Sequence, residues 1–242
     1  MVRKATLLFI LAWWWALAAP ALASAPGPGV SPDAALTLLQ EGNAHFVAGK
    51  LKHPHLNKER RVLTATKGQQ PFAAILSCSD SRAPVELIFD RGVGDLFVVR
   101  VAGNVAGTDE IASMEYAAEH LHTPLLVVLG HTKCGAVTAV VEKARLHGSL
   151  PSLAAKIRPV VFKTRMAHRD LRGDPLIAAV IKANVHQAMA DLIIRSRMVK
   201  DLIKAGKLQV IGAIYDLESG RVEWLGPHPE QKELVEGKPR VK

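Results

Sequence analysis

The chain has 242 residues, of which 49% are apolar and 22% are charged, and it contains two cysteines. This composition excludes a disordered chain, a collagen-like chain and a small disulfide-rich scaffold, and the length is typical of one domain or two small ones. Thirty-one basic against 22 acidic residues give a net charge of +9, which permits an anionic partner without establishing one. Aromatic residues make up only 5% of the chain, which argues against base stacking and therefore against a nucleic-acid binder.

The first 23 residues are typical of a secretory signal peptide. Two basic residues precede an uncharged run over residues 5–19, which is shorter than the roughly 20 residues that span a bilayer. Ala21 and Ala23 supply the small side chains that a signal peptidase recognises. We expect cleavage after Ala23, export to the periplasm, and a single mature domain over residues 24–242. A retained amino-terminal anchor is the alternative. No later stretch is judged long and apolar enough to cross a membrane, and no stable membrane insertion is expected.

The predicted elements begin with a helix and then alternate between strands and helices. Ser31, Pro32 and Asp33 form a helix start, and apolar residues at helical spacing continue that helix to about Gly49. A polar loop over residues 53–61 leads into a second helix. The patterns that follow predict, in chain order, a strand at 72–77, a helical turn at 84–89, a strand at 95–100, a helix at 109–121 capped by Thr108, a strand at 124–130, a helix at 135–145, a mostly helical segment at 152–205 with a break near 173–175, a strand at 208–217, a turn at 218–220 and a last strand at 221–225.

Short apolar strands that alternate with helices predict an α/β fold, with a mostly parallel central sheet and helices on both faces. The tight turn before the last strand makes that strand an antiparallel edge strand at the carboxyl terminus. In such sheets the chemistry lies beyond the carboxyl ends of the strands. Cys78 follows the first strand and His131 follows the third, so both chemically distinctive segments are predicted to lie at that edge.

Two segments carry the candidate site, with the sequences CSDSR from Cys78 and HTKCG from His131. Two thiolates and one imidazole are suited to zinc, and three protein ligands leave a fourth position open, which is typical of a catalytic site. Asp80 can accept a hydrogen bond from a water at that position, and Arg82 can hold Asp80 by a bidentate pair. The alternatives are a disulfide between Cys78 and Cys134, and an ordinary surface ion pair between Asp80 and Arg82.

These two segments, in this order, resemble the zinc site of the β-class carbonic anhydrases, in their plant-like branch. The resemblance spans most of the chain and implies the fold of that family, with one zinc ion per chain. It implies reversible hydration of carbon dioxide to bicarbonate and a proton. Cys78, His131 and Cys134 would bind the ion. Asp80 and Arg82 would form a catalytic dyad, with Asp80 taking the fourth position on the ion in a closed state.

The same resemblance implies further residues around the substrate. Gln69, Phe97 and Tyr116 match residues that line the pocket in this family, from two subunits, which implies a homodimer or a larger homo-oligomer. From the residues alone, Gln69 could equally be a surface glutamine, Phe97 a core residue of a strand and Tyr116 a buried helix residue. His120 lies four residues after Tyr116 on the same helix face, and histidine titrates near neutral pH, so His120 is a candidate proton shuttle.

Other functions remain open from the sequence. A related zinc hydrolase on this fold would act on carbonyl sulfide or carbon disulfide, and a non-enzymatic exported protein would bind zinc without any hydration activity. Residues 151–207 contain twelve Lys and Arg against four Asp. This surplus favours a solvated helical face, and it also suits attraction of bicarbonate or of an anionic surface.

Overall fold

The computed structural model describes residues 29–237. The predicted signal peptide and its cleavage site lie outside the described residues. Within this range the chain forms nine α-helices and five β-strands, with these bounds: α1 Pro32–Val47, α2 Lys58–Lys67, β1 Ala73–Ser77, α3 Val85–Ile88, β2 Leu96–Arg100, α4 Thr108–Glu119, β3 Leu125–His131, α5 Gly135–Val141, α6 Leu150–Ala167, α7 Gly173–Arg195, α8 Arg197–Lys204, β4 Gln209–Tyr215, β5 Val222–Gly226 and α9 Gln231–Glu236.

The five strands form one sheet in the order β2-β1-β3-β4-β5. The first four are parallel, and β5 pairs antiparallel with β4 at the edge, so the predicted sheet is confirmed. Successive side chains of β1 enter two separate cores. Ala74 and Leu76 pack with α4 to α9, whereas Ala73 and Ile75 pack with α1 and α3. Helices therefore cover both faces, which explains the unbroken apolar runs in the central strands.

Two predicted helix starts differ from the structure because of capping. Thr108 is the first residue of α4, and Gly107 is its cap, so the prediction of a Thr108 cap was wrong. The Thr108 hydroxyl instead accepts a hydrogen bond from Arg195, at 3.0 Å. Helix α2 begins inside the segment predicted as a loop, because the Asn57 side chain accepts a hydrogen bond from the Arg60 amide at 2.9 Å.

Three further boundaries were set by the backbone rather than by the apolar pattern. Helix α5 ends at Val141, short of the predicted 145, and Lys143 beyond it takes a left-handed conformation with φ of 57°. The break between α6 and α7 lies ahead of residues 173–175, which form the first turn of α7. The short helix α9 was not predicted.

Helix α7 is the central helix of the larger core. Among the described residues it is the one helix that is long and apolar enough to cross a membrane. The expectation that no later stretch would have such a length and composition was therefore wrong. However, eleven of its residues are buried, and it packs on β3, β4 and α6. Its high hydropathy follows from burial on more than one side, as is usual for a helix inside a globular core.

Candidate metal centre

The two predicted segments meet at the carboxyl edge of the sheet. Strands β1 and β3 are adjacent and parallel, so Cys78, directly after β1, and His131, the last residue of β3, emerge side by side. Cys134 follows a tight turn in which Lys133 has a φ of 55°, and it caps the amino terminus of α5. The field at a helix start favours a thiolate. The three side chains are thus brought together by the ends of two strands and the start of one helix.

The three potential ligands form a compact buried cluster. Their ligand atoms all lie within 4.8 Å of one another. The sulfur atoms of Cys78 and Cys134 are 4.0 Å apart, and both residues are free cysteines. This separation is about twice the length of a disulfide bond. The disulfide alternative is therefore not the arrangement in this structure.

The orientation of His131 supplies a specific test of whether a metal fits. Its Nδ1 donates a hydrogen bond to the carbonyl oxygen of Thr132 at 2.8 Å, which leaves Nε2 as the atom with a free lone pair. This Nε2 is buried and has no hydrogen-bond partner among residues 29–237. A buried acceptor without a partner is unfavourable unless a ligand takes it. One imidazole nitrogen and two sulfurs match the donor set of a zinc site with an open position.

The two thiols are electrostatically distinct. The hydrogen bond from Cys134 lowers the pKa of Cys78, against the opposing effect of burial, and the neighbouring His131 and the backbone amide of Gly103, at 3.2 Å, add to this. The same contact with Cys78, together with burial, raises the pKa of Cys134. The two cysteines together thus lose one proton readily and resist losing the second. A divalent cation would favour both thiolates because it neutralises their charge.

Gly103 can support Cys78 only because it is a glycine. Its φ is 73°, and a Cβ there would lie 3.0 Å from Cδ1 of Ile157. The buried side chain of Asn184, on α7, donates a hydrogen bond to the Gly103 carbonyl at 2.7 Å and fixes this turn. Sequence reasoning missed Asn184. Its signal was an amide side chain at helical spacing on the apolar face of α7, three residues after Ile181 and four before Ala188.

Asp80 and Arg82 form the predicted bidentate pair. Arg82 Nε lies 2.9 Å from Asp80 Oδ1, and Arg82 Nη2 lies 2.8 Å from Oδ2. These hydrogen bonds hold the pKa of the Asp80 carboxyl well below its usual range. Oδ2 is also 3.8 Å from Nε2 of His131, and the Asp80 side chain is only 16% exposed. The pair therefore borders the metal cluster, unlike an ordinary surface ion pair.

Arg100 is a second arginine at the site, and sequence reasoning missed its role. It ends β2, and its guanidinium donates to the carbonyl oxygens of Cys78 at 3.0 Å and of Asp80 at 2.6 Å. It thereby fixes the backbone that carries the potential ligand Cys78 and the carboxylate of Asp80. Its signal in the sequence was a cation at the end of an apolar strand beside the first site segment.

Gln69 and Phe97 lie at the opposite edge of the sheet from this cluster. Gln69 precedes β1, and Phe97 pairs with Ala74 near the amino end of β1. Cys78 is four residues further along the same direction, which is roughly 13 Å at the usual rise of a strand. Neither side chain can therefore line the metal cluster of its own chain.

Tyr116 and His120 lie at the amino edge as well. Helix α4 returns from the end of β2 to the start of β3, and after it Thr123 hydrogen-bonds to the Pro71 carbonyl at 3.1 Å. The Tyr116 ring centroid lies 6.0 Å from that of Phe97 and 5.2 Å from that of His120. Tyr116 is 45% exposed, so it is not a buried helix residue. Within one chain, Tyr116 and His120 therefore lie at the end of the sheet away from the metal cluster.

Known proteins share this chain's sequence and fold. The sequence model described as carbonic anhydrase matches residues 73–222. Carbonic anhydrase 2 of Mycobacterium tuberculosis is 40% identical over 196 residues, which is 80% of this chain and 93% of that protein. The carbonic anhydrase of Mycolicibacterium smegmatis is 39% identical over 201 residues, with 81% and 94% covered.

Solved structures agree with this similarity. The β-carbonic anhydrase CafA of Aspergillus fumigatus has a TM-score of 0.67 and 29% identity, with 85% of this chain and 95% of that chain covered. The family match covers more than half of the chain, and the mycobacterial relatives align over nearly their whole length. The chain therefore belongs to the carbonic anhydrase family, in its β class.

Proposed function

We propose that Cys78, His131 and Cys134 hold one zinc ion and that this site catalyses the reversible hydration of carbon dioxide to bicarbonate and a proton. The observation that carries the proposal is the unpartnered Nε2 of His131, buried beside two thiols and within 3.8 Å of a carboxylate that an arginine holds. Zinc bound in such a site lowers the pKa of a coordinated water toward about 7, which supplies the nucleophile that an uncharged electrophile needs.

Asp80 has the orienting role in this proposal. Its carboxylate stays ionised at every pH of interest, because Arg82 depresses its pKa. It can therefore accept a hydrogen bond from the attacking water and direct the lone pair of the oxygen at the carbon of the substrate. Arg82 keeps both carboxylate oxygens engaged, so that Asp80 does not itself bind the metal.

The test is a stopped-flow hydration assay together with zinc analysis on the same preparations. His131→Ala and Cys78→Ser should lose zinc and lose activity together, by more than the roughly 10- to 100-fold seen when only a supporting residue is removed. His147→Ala is the matched control, because His147 is exposed in a loop. A metal-free protein with full hydration activity would overturn the proposal.

We further propose that the enzyme is a homo-oligomer whose second subunit supplies Gln69, Phe97 and Tyr116 to each metal site. The support is their position: they lie at the amino edge, away from the cluster of their own chain, and Tyr116 is half exposed there. One of two β-carbonic anhydrases from Sordaria macrospora that are described as tetrameric shares the fold, with a TM-score of 0.64 at 24% identity. A dimer is the smallest assembly that completes such a site.

His120 is the proton shuttle in this arrangement, acting at the partner's metal site. Its ring stacks beside Tyr116 and is about half exposed, so it can exchange a proton with buffer. We expect His120→Ala to lower kcat more than kcat/KM, because proton export limits turnover and not the hydration step. Added imidazole buffer should partly restore kcat. A loss that buffer does not affect would make His120 a structural residue.

Export to the periplasm completes the proposal. Its support is the basic start, the short uncharged apolar run and the Ala21-Leu22-Ala23 sequence. Amino-terminal sequencing of protein from the periplasmic fraction should give a start at Ser24. A start at Met1 in the membrane fraction would favour the retained anchor.

A further inference from the structure

The outward face of α6 carries an apolar stripe that the core does not explain. The residues that α6 buries against the core are Ala154, Ile157, Val160, Val161 and Thr164. On the opposite side four side chains follow one another at spacings of four, three and four residues, which places them in one line along the helix. This apolar stripe consists of Ala155, Pro159, Phe162 and Met166. Phe162 is 67% exposed and Met166 is 52% exposed.

Cations border the stripe on both sides. At about 100° per residue, Lys156 and Lys163 fall on one flank, and Arg158 and Arg165 fall on the other. The sequence of α6 contains no acidic residue. Arg165 also donates a hydrogen bond to the Val141 carbonyl at 2.9 Å, which anchors that flank to α5.

The surroundings of the two flanks differ. On the arginine flank, a cavity of about 430 Å³ beside Phe162 is lined by Lys143, Arg158 and Arg165 and by no acid. On the lysine flank, Asp191 lines the same cavity as both lysines, and a Glu110 oxygen and the Lys156 amine both lie beside Gly107. The uncompensated positive charge is therefore concentrated at the stripe and on its arginine side.

We propose that this face of α6 docks on the surface of an anionic lipid bilayer. Phe162 and Met166 would enter the headgroup region, and the flanking cations would contact lipid phosphates. Such a surface accepts both an apolar stripe and its basic borders, which is how interfacial helices bind. A nucleic acid would satisfy the cations but leave the stripe against a polar backbone. In a twofold dimer formed through this face, the same surface would meet itself, so the basic borders of the two copies would repel each other.

Co-sedimentation with vesicles tests the charge requirement. The probes are vesicles of phosphatidylcholine alone and vesicles of phosphatidylcholine with phosphatidylglycerol. The protein is the zinc-loaded chain, purified with whatever amino terminus it has after expression. Arg158→Gln with Lys163→Gln should weaken binding to the anionic vesicles by about 25-fold, at roughly fivefold per cation. Lys204→Gln with Lys207→Gln removes the same charge from an exposed site at the carboxyl end of α8 and should have a smaller effect. Any contribution of the amino-terminal segment is common to all variants.

A local fluorescent probe tests entry of the stripe into the lipid. In Phe162→Trp, tryptophan emission should shift to the blue with anionic vesicles and be quenched by brominated lipid. Leu87→Trp, on α3 at the other face of the sheet, should show neither effect. Zinc content and hydration rate should stay unchanged in every variant, because none of these residues belongs to the metal site.

Four outcomes would overturn the proposal. Equal binding to both kinds of vesicle, or an unchanged Phe162→Trp emission, would exclude docking through α6. Duplex DNA binding that is lost in Arg158→Gln with Lys163→Gln, without vesicle binding, would identify a nucleic acid as the ligand. A change in oligomeric state in the α6 variants would identify this face as a contact between copies.

Discussion

At the scale of single residues, Asp80 is placed between two partners. Arg82 engages both carboxylate oxygens, while Oδ2 lies 3.8 Å from the nitrogen of His131 that faces the metal cluster. A carboxylate oxygen is itself a zinc ligand. If Asp80 pairs with Arg82, the fourth position on the metal is open to water. If Asp80 instead binds the metal, that position is closed.

Removing the guanidinium should close the site without emptying it. In Arg82→Ala the freed Asp80 remains an anion near neutral pH, since an unperturbed aspartate titrates near pH 3.9. We expect zinc to stay bound and the hydration rate to fall by about 10- to 100-fold. Asp80→Asn should also keep zinc and be slow, because it loses the acceptor. Zinc content and stopped-flow rates across roughly pH 7 to 8.5, where activity is expected to rise, are the measurements.

Arg82→Lys is the informative control for this pair. Lysine retains the charge but not the two-pronged geometry, so it should recover only part of the rate. An Arg82→Ala protein with the wild-type rate would show that the pair is only a salt bridge.

At the scale of elements, one buried carboxylate ties the loop after α1 to α3. Asp90 accepts hydrogen bonds from the backbone amides of Lys52 and His53, both at 2.9 Å, and lies 3.1 Å from Nδ1 of His45. Burial alone would raise the pKa of Asp90, but these hydrogen bonds outweigh it and the pKa is lowered. A carboxyl with a lowered folded-state pKa stabilises the fold above its unfolded-state value, and this contribution disappears as the pH falls through the folded-state value.

Asp90→Asn should expose this pH dependence. Asparagine tolerates the left-handed backbone at this position, where φ is 47°, so the change removes mainly the charge. At pH 7 we expect the free energy of unfolding to fall by about 1.5 to 3 kcal/mol. The difference from wild type should shrink as the pH is lowered below about 4. Urea titrations at several pH values measure it, with the exposed Asp170→Asn as a control that should show little change.

At the scale of the whole molecule, the proposed site is divided between chains, and complementation can test this. A Cys78→Ser chain lacks a metal ligand but keeps the pocket residues at the amino edge of the sheet. A chain with both Gln69→Ala and Tyr116→Ala keeps the metal ligands but lacks those pocket residues. Each protein alone should be nearly inactive. Co-expressed as dimers, they should recover about one quarter of wild-type activity per chain, because half of randomly paired dimers contain one intact site of two. If co-expression restores nothing, Gln69 and Tyr116 do not complete the metal site of a partner chain.

The sequence by itself predicted the candidate metal ligands, the pairing of Asp80 with Arg82 and the succession of strands along the chain. Asp80 and Arg82 lie two residues apart, so their pairing is local. Cys78 and His131 stand at the carboxyl ends of short apolar runs, which is where parallel sheets place their chemistry. The helix caps were less predictable, because Gly107 and Thr108 compete for the same role and the contact with Arg195 decides between them.

Only the tertiary structure decided which functional residues share an edge of the sheet. The position of Tyr116 follows from the return of α4 toward the start of β3, and the hydrogen bond from Asn184 to Gly103 joins residues far apart in the chain. Likewise, α7 has the length and hydropathy of a membrane helix, and its packing on β3 and β4 makes it a core helix. Such outcomes depend on which surfaces meet after the chain folds, and periodicity within a segment carries no information about that.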